Sequence, residues 1–143
     1  MAHRILNNLS WLEDIVKQST DGYVLDLGEI TISDLISGDS FIIALSGGGK
    51  IVIRKPFELL RGGKALNVDP SSQTSMEEIT QTLRSGIHGA TVMPDGTLRL
   101  ALGVSGLGEP TISAPSGNWQ VHFSNGSSIV GLRGGGIEIL PPD

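Results

Sequence analysis

Glycine-containing turns cut the second half of the chain into segments that are too short for long helices. Residues 94–96 read Pro-Asp-Gly, and after them every second residue of 97–102 is leucine, which places three leucines on one face of a strand. Asn-Gly at 125–126 favours a type I′ hairpin turn between two further apolar segments. Three glycines at 134–136 precede a last short strand that two prolines end. The pattern predicts a β-meander over residues 87–140.

The first half has the same character over residues 23–70. Glycines 47–49 separate two alternating apolar segments, 41–46 and 50–55, and predict a hairpin. A second hairpin is expected around Gly62-Gly63, followed by a loop that starts at Asp69-Pro70. Residues 23–70 therefore predict a first β-meander.

The two halves align by their turns. Both read turn, strand, glycine-rich break, strand, proline, strand, glycine hairpin, strand, so that Pro56 corresponds to Pro115 and Gly63 to Gly126. The alignment predicts an internal duplication of a four-strand unit, although glycine turns by themselves can produce such a likeness. The predicted fold is mainly β (α+β): a two-sheet roll or sandwich with an N-terminal helix and one helix between the halves, closing one opening.

The N-terminal segment, residues 1–22, has a helical rather than a strand period. Its apolar residues recur at helical spacing and predict a helix within residues 2–19. Ser10-Trp11-Leu12-Glu13 matches a capping box, so the helix could also start near Ser10. The residues of the stripe are Ile5, Leu9, Leu12 and Val16.

A second helix is predicted over residues 75–86. Ser75 can cap its N-terminus, and Glu77 and Glu78 favour the positive end of the helix dipole. Gly86 suits the position just after the last turn.

Length and composition bound the class of protein. A chain of 143 residues predicts a single domain over residues 1–143, large enough to bury a core without disulfides or metal. Without cysteine there is no disulfide scaffold, no cysteine-ligated zinc site and no cysteine nucleophile. The sequence shows no signal peptide and no apolar run of about 20 residues. We therefore expect a soluble, cytoplasmic protein with no membrane partner.

The negative charge is concentrated in residues 1–40, which hold seven acidic and two basic residues, whereas the remaining residues hold eight of each sign. This balance disfavours nucleic acid as a ligand, because phosphates require clustered lysine and arginine. Two interpretations remain: a solvated acidic face, or a docking surface for a basic partner.

Catalytic chemistry has weak support in the sequence. The three histidines, at 3, 88 and 122, lack metal-ligand spacing. Gly47-Gly48-Gly49-Lys50 is not a phosphate-binding loop, because Lys50 opens a predicted strand rather than a helix. We therefore expect no catalytic residue, no metal site and no cofactor.

Several short motifs occur along the chain, at Ile53, Pro56, Phe57, Asp69, Pro70, Asp95, Gly96, Leu98, Leu100, Trp119, Gly134, Gly135, Gly136 and Ile137. Together these motifs resemble DUF6188, an uncharacterised bacterial family, over about residues 30–140. The closing strand departs from the family, which tends to end in Ala-Val-Trp where this chain has Glu138, Ile139 and Leu140. The resemblance implies a fold more than an activity.

An interaction role is the function that these observations favour. We expect a non-enzymatic protein-binding module, such as an immunity protein or inhibitor that neutralises a bacterial toxin by occluding its active site. The alternative is a small-molecule-binding or structural β domain with a site in the mouth of the roll, near Trp119 and His122. The partner's identity and the oligomeric state are left open. The predicted partner-binding residues are Trp11, Glu13, Asp14, Asp21, Tyr23 and Asp26, whose acids would steer a basic toxin domain and whose aromatic rings would anchor it.

Overall fold

A computed structural model describes residues 16–19, 22–25, 31–54, 57–61, 63–69, 71–83, 86–102 and 110–142. Within these ranges the chain is mainly β, with thirteen strands and one helix. The strands are β1 (Val16–Ser19), β2 (Gly22–Leu25), β3 (Ile32–Ile36), β4 (Ser40–Leu45), β5 (Lys50–Arg54), β6 (Phe57–Arg61), β7 (Lys64–Val68), β8 (Ile87–Val92), β9 (Leu98–Leu102), β10 (Thr111–Ala114), β11 (Trp119–His122), β12 (Ser128–Gly131) and β13 (Ile137–Leu140); the helix is α1 (Gln73–Leu83).

The strands form two antiparallel sheets. Sheet A has the order β1-β2-β8-β9-β10-β6-β7, and sheet B has the order β13-β12-β11-β5-β4-β3. Neither half of the chain forms a sheet of its own, because β6 pairs with β10 and β5 pairs with β11. The two predicted meanders, over residues 23–70 and 87–140, are thus each divided between the sheets.

The two sheets share one strand order under the predicted duplication. If β3, β4, β5, β6 and β7 correspond to β8, β9, β10, β11 and β12, then β8-β9-β10-β6-β7 in sheet A becomes β3-β4-β5-β11-β12 in sheet B. The same correspondence converts the pair β5–β11 into the pair β10–β6, and these are the two pairs that join the halves of the chain. The topology therefore has the approximate twofold symmetry that a duplicated unit would give.

The inner faces of both sheets meet in one hydrophobic core. Strand alternation directs Phe41, Ile43 and Leu45 of β4 inwards, and the rings of Phe41 and Phe57 stack with their centroids 5.9 Å apart. Helix α1 adds Met76, Ile79 and Leu83 to this core, as its helical stripe requires. Other fully buried large side chains include Ile51, Ile53, Leu59, Leu98, Leu100, Leu102, Ile112, Ile129 and Trp119.

Four hairpin turns have the same backbone pattern. In each, the residue that ends the first strand or directly follows it donates its N–H to the carbonyl four residues on, and its own carbonyl accepts the N–H of a glycine three residues on. That glycine has positive φ: Gly48, Gly96, Gly126 or Gly135. In the turns after β4, β8 and β11 this is a type I turn followed by a glycine bulge. The β12–β13 turn differs, because Gly134 at its third position also has positive φ, 91°, which a type I turn does not have. The type I′ turn predicted for residues 125–126 is therefore wrong, because Phe123 N–H donates to Ser127 rather than across a two-residue loop.

The helical predictions need two corrections. Residues 1–15 lie outside the described part of the chain, but Val16–Ser19 is a strand that pairs with Gly22–Leu25, so the predicted helix does not include it. The spacing of apolar residues reports only local helical preference, whereas here pairing with a neighbouring strand determines the structure. Helix α1 begins at Gln73, two residues before the predicted start, so Ser75 lies inside the helix and its first turn contains no acidic residue. Gly86, with a φ of 86°, follows the helix as expected and donates its N–H to Leu83.

Candidate functional site

The structure places one of the predicted partner-binding residues, and five lie outside the described part of the chain. Tyr23 is on β2, where it pairs with Val92 and packs, half-buried, against the core. Much of its ring area is therefore already used within the fold. The residues outside the described ranges are Trp11, Glu13, Asp14, Asp21 and Asp26.

Two other acidic residues of the range 1–40 lie at an exposed corner of sheet B. Asp34 is on β3, the edge strand, and Asp39 is in the connection to β4; both are exposed. Between them in the chain is Ile36, whose side chain is 48% exposed. Ile36 pairs with Ile42 on the next strand, and both lie on the outer face because Leu35 and Ile43 point towards the core. We call Asp34, Ile36, Asp39 and Ile42 the β3 corner.

The outer face of sheet B extends the β3 corner inwards. Ile42 pairs with Val52, which continues the apolar row, and Asp34 pairs with Ala44, which pairs with Lys50. Because neighbouring strands lie about 4.8 Å apart, Lys50 is about 10 Å from Asp34 along the sheet. The corner thus presents apolar side chains with carboxylates at the sheet edge.

His122 lies on the same outer face, in a local hydrogen-bond network. Its Nε2 is 3.2 Å from Gln120 Oε1, and its Nδ1 is 2.9 Å from Ser128 Oγ. Pairing with an amide oxygen requires the proton on Nε2, so Nδ1 accepts the hydroxyl hydrogen of Ser128. Partial burial, and to a lesser extent the Lys50 ammonium, hold the pKa of His122 below its ordinary value. The network therefore favours a neutral imidazole.

Trp119 has a structural role on the inner face of β11. It is 1% exposed, and its Nε1 donates to the carbonyl of Gly96 at 2.8 Å. Gly131 lies directly against the indole, since a Cβ built there would be 2.5 Å from Nε1. Trp119 and His122 are three residues apart on one strand and so face opposite sides of the sheet. The two side chains therefore do not line one site together, and a small-molecule-binding or structural role remains a prediction.

Three turns meet beside Trp119. Ser116 Oγ donates a hydrogen bond to the carbonyl of Leu132, in the β12–β13 turn. In the β8–β9 turn, Asp95 Oδ1 accepts the N–H of Thr97 at 3.0 Å, and this bond lowers the pKa of Asp95. The side chains of Ser116 and Asp95 therefore hold these turns in place.

Metal binding finds no support in the described ranges, which contain no group of three or more histidine and acidic side chains able to hold an ion. None of the helical residues described forms a segment with the length and apolar character of a membrane span.

The sequence pattern of the DUF6188 family, a family of unknown function, matches residues 23–141. This range includes every described strand from β3 to β13. The chain belongs to DUF6188. No curated protein and no solved structure matches the DUF6188 chain.

Sequence reasoning missed the exposure of Ile36 in this DUF6188 protein. A strict period of two places Ile32 and Ile36 on one face, but a bulge between Ile32 and Asp34 shifts the register. As a result Ile32 and Leu35 pack against the core and Ile36 points outwards. The sequence contains no residue that marks this bulge.

Proposed function

We propose that this DUF6188 protein is a non-enzymatic protein-binding module, an immunity protein or inhibitor that neutralises a bacterial toxin in the cytoplasm by covering its active site. The observation that carries the proposal is the β3 corner, where Ile36 is 48% exposed between two exposed carboxylates. The proposed contact surface is the corner together with the acidic residues that precede it in the chain.

The chemistry of the corner fits a partner with a basic cleft. An exposed apolar side chain that becomes fully buried contributes about 25 cal/mol per Å² of area removed from water. Carboxylates at the rim attract a basic surface and raise the association rate, with less effect on the dissociation rate. Ile36 would therefore set the lifetime of the complex, and Asp34 and Asp39 its rate of formation.

The test uses the protein encoded directly upstream of this chain as the candidate toxin. Co-expression measures protection of growth, and surface plasmon resonance of the purified pair measures both rate constants. We expect the double variant Asp34→Lys, Asp39→Lys to lower the association rate at low salt by about tenfold or more. Ile36→Ala should raise the dissociation rate by a similar factor.

Matched controls lie away from the proposed contact surface. Glu58→Lys reverses an exposed acid on β6, and Leu132→Ala shortens an exposed apolar side chain in the β12–β13 turn. Both should leave binding and protection unchanged. An upstream protein that neither binds this chain nor is neutralised by it would overturn the proposed function, and equal losses in the controls would overturn the assignment to the β3 corner.

A further inference from the structure

Under the approximate twofold symmetry of the two sheets, β13 of sheet B has no equivalent strand in the described part of sheet A. In sheet B, the outer edge of β12 is covered by β13. Its counterpart in sheet A is β7, which ends that sheet. Four successive residues of β7, from Lys64 to Asn67, are exposed, and Leu66 is 43% exposed. Among the described residues, no strand pairs with the outer edge of β7, at the position where the equivalent strand accepts another.

The hairpin fixes which backbone groups face this open edge. Arg61 pairs with Lys64 across a two-residue turn, so these two residues must exchange both backbone hydrogen bonds. Hydrogen-bonded and non-hydrogen-bonded pairs alternate along an antiparallel ladder, which makes Leu60–Ala65 and Glu58–Asn67 non-hydrogen-bonded pairs. The N–H and C=O groups of Ala65 and Asn67 therefore point away from β6, towards the edge.

We propose that β7 pairs antiparallel with β7 of a second copy of this chain, joining the two A sheets into one. In the register that overlaps the strands most, Ala65 of each copy lies opposite Asn67 of the other, and their outward N–H and C=O groups form four hydrogen bonds. Leu66 of one copy lies opposite Leu66 of the other on the twofold axis. The contact is self-complementary, as a twofold dimer requires.

The side chains at the axis favour a second copy as the occupant. Two leucines meet as an apolar cross-strand pair, and Lys64 lies opposite Val68 with no like charge facing it. Strand β13 lacks this fit, since the same reasoning places Glu138 against Glu138 of a second copy at the centre of a self-paired β13. Strand β3 is bulged, and Asp34 Oδ1 accepts the N–H of Leu35 at its edge.

Sedimentation equilibrium across about a hundredfold range of concentration tests the dimer. The wild-type chain should show a reversible monomer–dimer equilibrium. Leu66→Lys and Leu66→Glu should each be monomeric, with the Kd raised by about a hundredfold or more, because each places like charges together at the axis. An equal mixture of the two variants should recover a heterodimer, since the charges are then opposite.

Two further variants distinguish pairing at the β7 edge from effects of added charge or of altered folding. Leu140→Lys adds the same charge to an exposed leucine of β13 and should leave the dimer intact. Asn67→Pro removes an outward N–H that β6 does not use and should weaken the dimer, with circular dichroism reporting the fold of every variant. The charge reversals at the β3 corner should leave the dimer intact, so this inference and the proposed function fail independently.

A wild-type chain that is monomeric at every concentration would overturn the inference, as would a dimer that persists in both charged Leu66 variants and in Asn67→Pro. Loss of toxin binding in a monomeric Leu66→Lys variant, with no wild-type dimer, would assign the edge to a different protein.

Discussion

Replacing Gly131 with alanine should destabilise the protein through a single contact. Gly131 has a backbone conformation open to any residue, so no conformational strain is involved. The new methyl group would lie 2.5 Å from Nε1 and 2.6 Å from Cε2 of Trp119, which is far inside contact distance. The indole is 1% exposed and must move, which breaks its 2.8 Å hydrogen bond to Gly96.

The cost follows from these two effects. Overpacking a core costs about 1–3 kcal/mol. Leaving a buried N–H without an acceptor costs about another 1–3 kcal/mol. Gly131→Ala should therefore lower the free energy of unfolding by about 2–6 kcal/mol, a large part of the total of about 5–15 kcal/mol for a domain. With an m-value of about 2 kcal/mol/M, the urea midpoint falls by about 1–3 M.

Urea unfolding followed by circular dichroism measures the change. Gly89→Ala is the matched control: it is also a strand glycine with an ordinary backbone conformation, but a Cβ there meets nothing within 4 Å. It should change the free energy of unfolding by less than about 1 kcal/mol. In a Trp119→Phe background the Gly131→Ala cost should shrink, because the colliding indole atoms are gone. A Gly131→Ala change as small as the control would refute the reasoning.

Three further predictions concern turns and pH. Asn125→Ala should lower the free energy of unfolding by about 1 kcal/mol, because Asn125 Oδ1 accepts both the N–H and the hydroxyl of Ser127; Asn125→Asp keeps that acceptor and should be neutral in thermal melts. Gly96→Ala should cost more than Asn125→Ala in the same melts, since its Cβ would lie 2.3 Å from Ser116 Oγ and its φ is 91°. Folding lowers the pKa of His122, so just below pH 6.5 the unfolded chain binds more protons than the folded chain. The free energy of unfolding should therefore fall as the pH drops from about 6.5 through the lowered pKa. His122→Gln should remove this dependence, which a pH series of urea midpoints measures.

Much of the fold could be predicted from local sequence. The alternating leucines of β9 are all buried, and the glycines at 96 and 126 lie in the turns where the sequence placed them. Glycine predicts the position of these turns because a bulged turn needs one residue with positive φ, which glycine adopts without strain.

The exchange of strands between the halves could not be predicted in this way. Pairing of β5 with β11 joins residues about seventy positions apart, and strand periodicity records only which face a residue occupies, not which strand lies beside it. Val16 shows the same limit at short range, since its spacing fits a helix but cross-strand pairing with Leu25 makes it a strand residue.

The candidate site was only partly accessible to sequence reasoning. The acidic character of residues 1–40 was visible, and Asp34 and Asp39 are two of those acids. Ile36 was not recognisable as an exposed residue because a bulge, which has no sequence marker here, sets its direction.

The reciprocal pairs β5–β11 and β10–β6 have an evolutionary consequence. If the duplication is ancestral, a single unit would have paired β5 with its own β4 on one side and, on the other side, with the equivalent of β6 from a second molecule. Such a unit would have existed as an intertwined homodimer, and fusion of two genes would have converted that dimer into one chain with the same reciprocal strand pairs. Each half, expressed alone, should therefore tend to pair with a second copy of a half through these same strands.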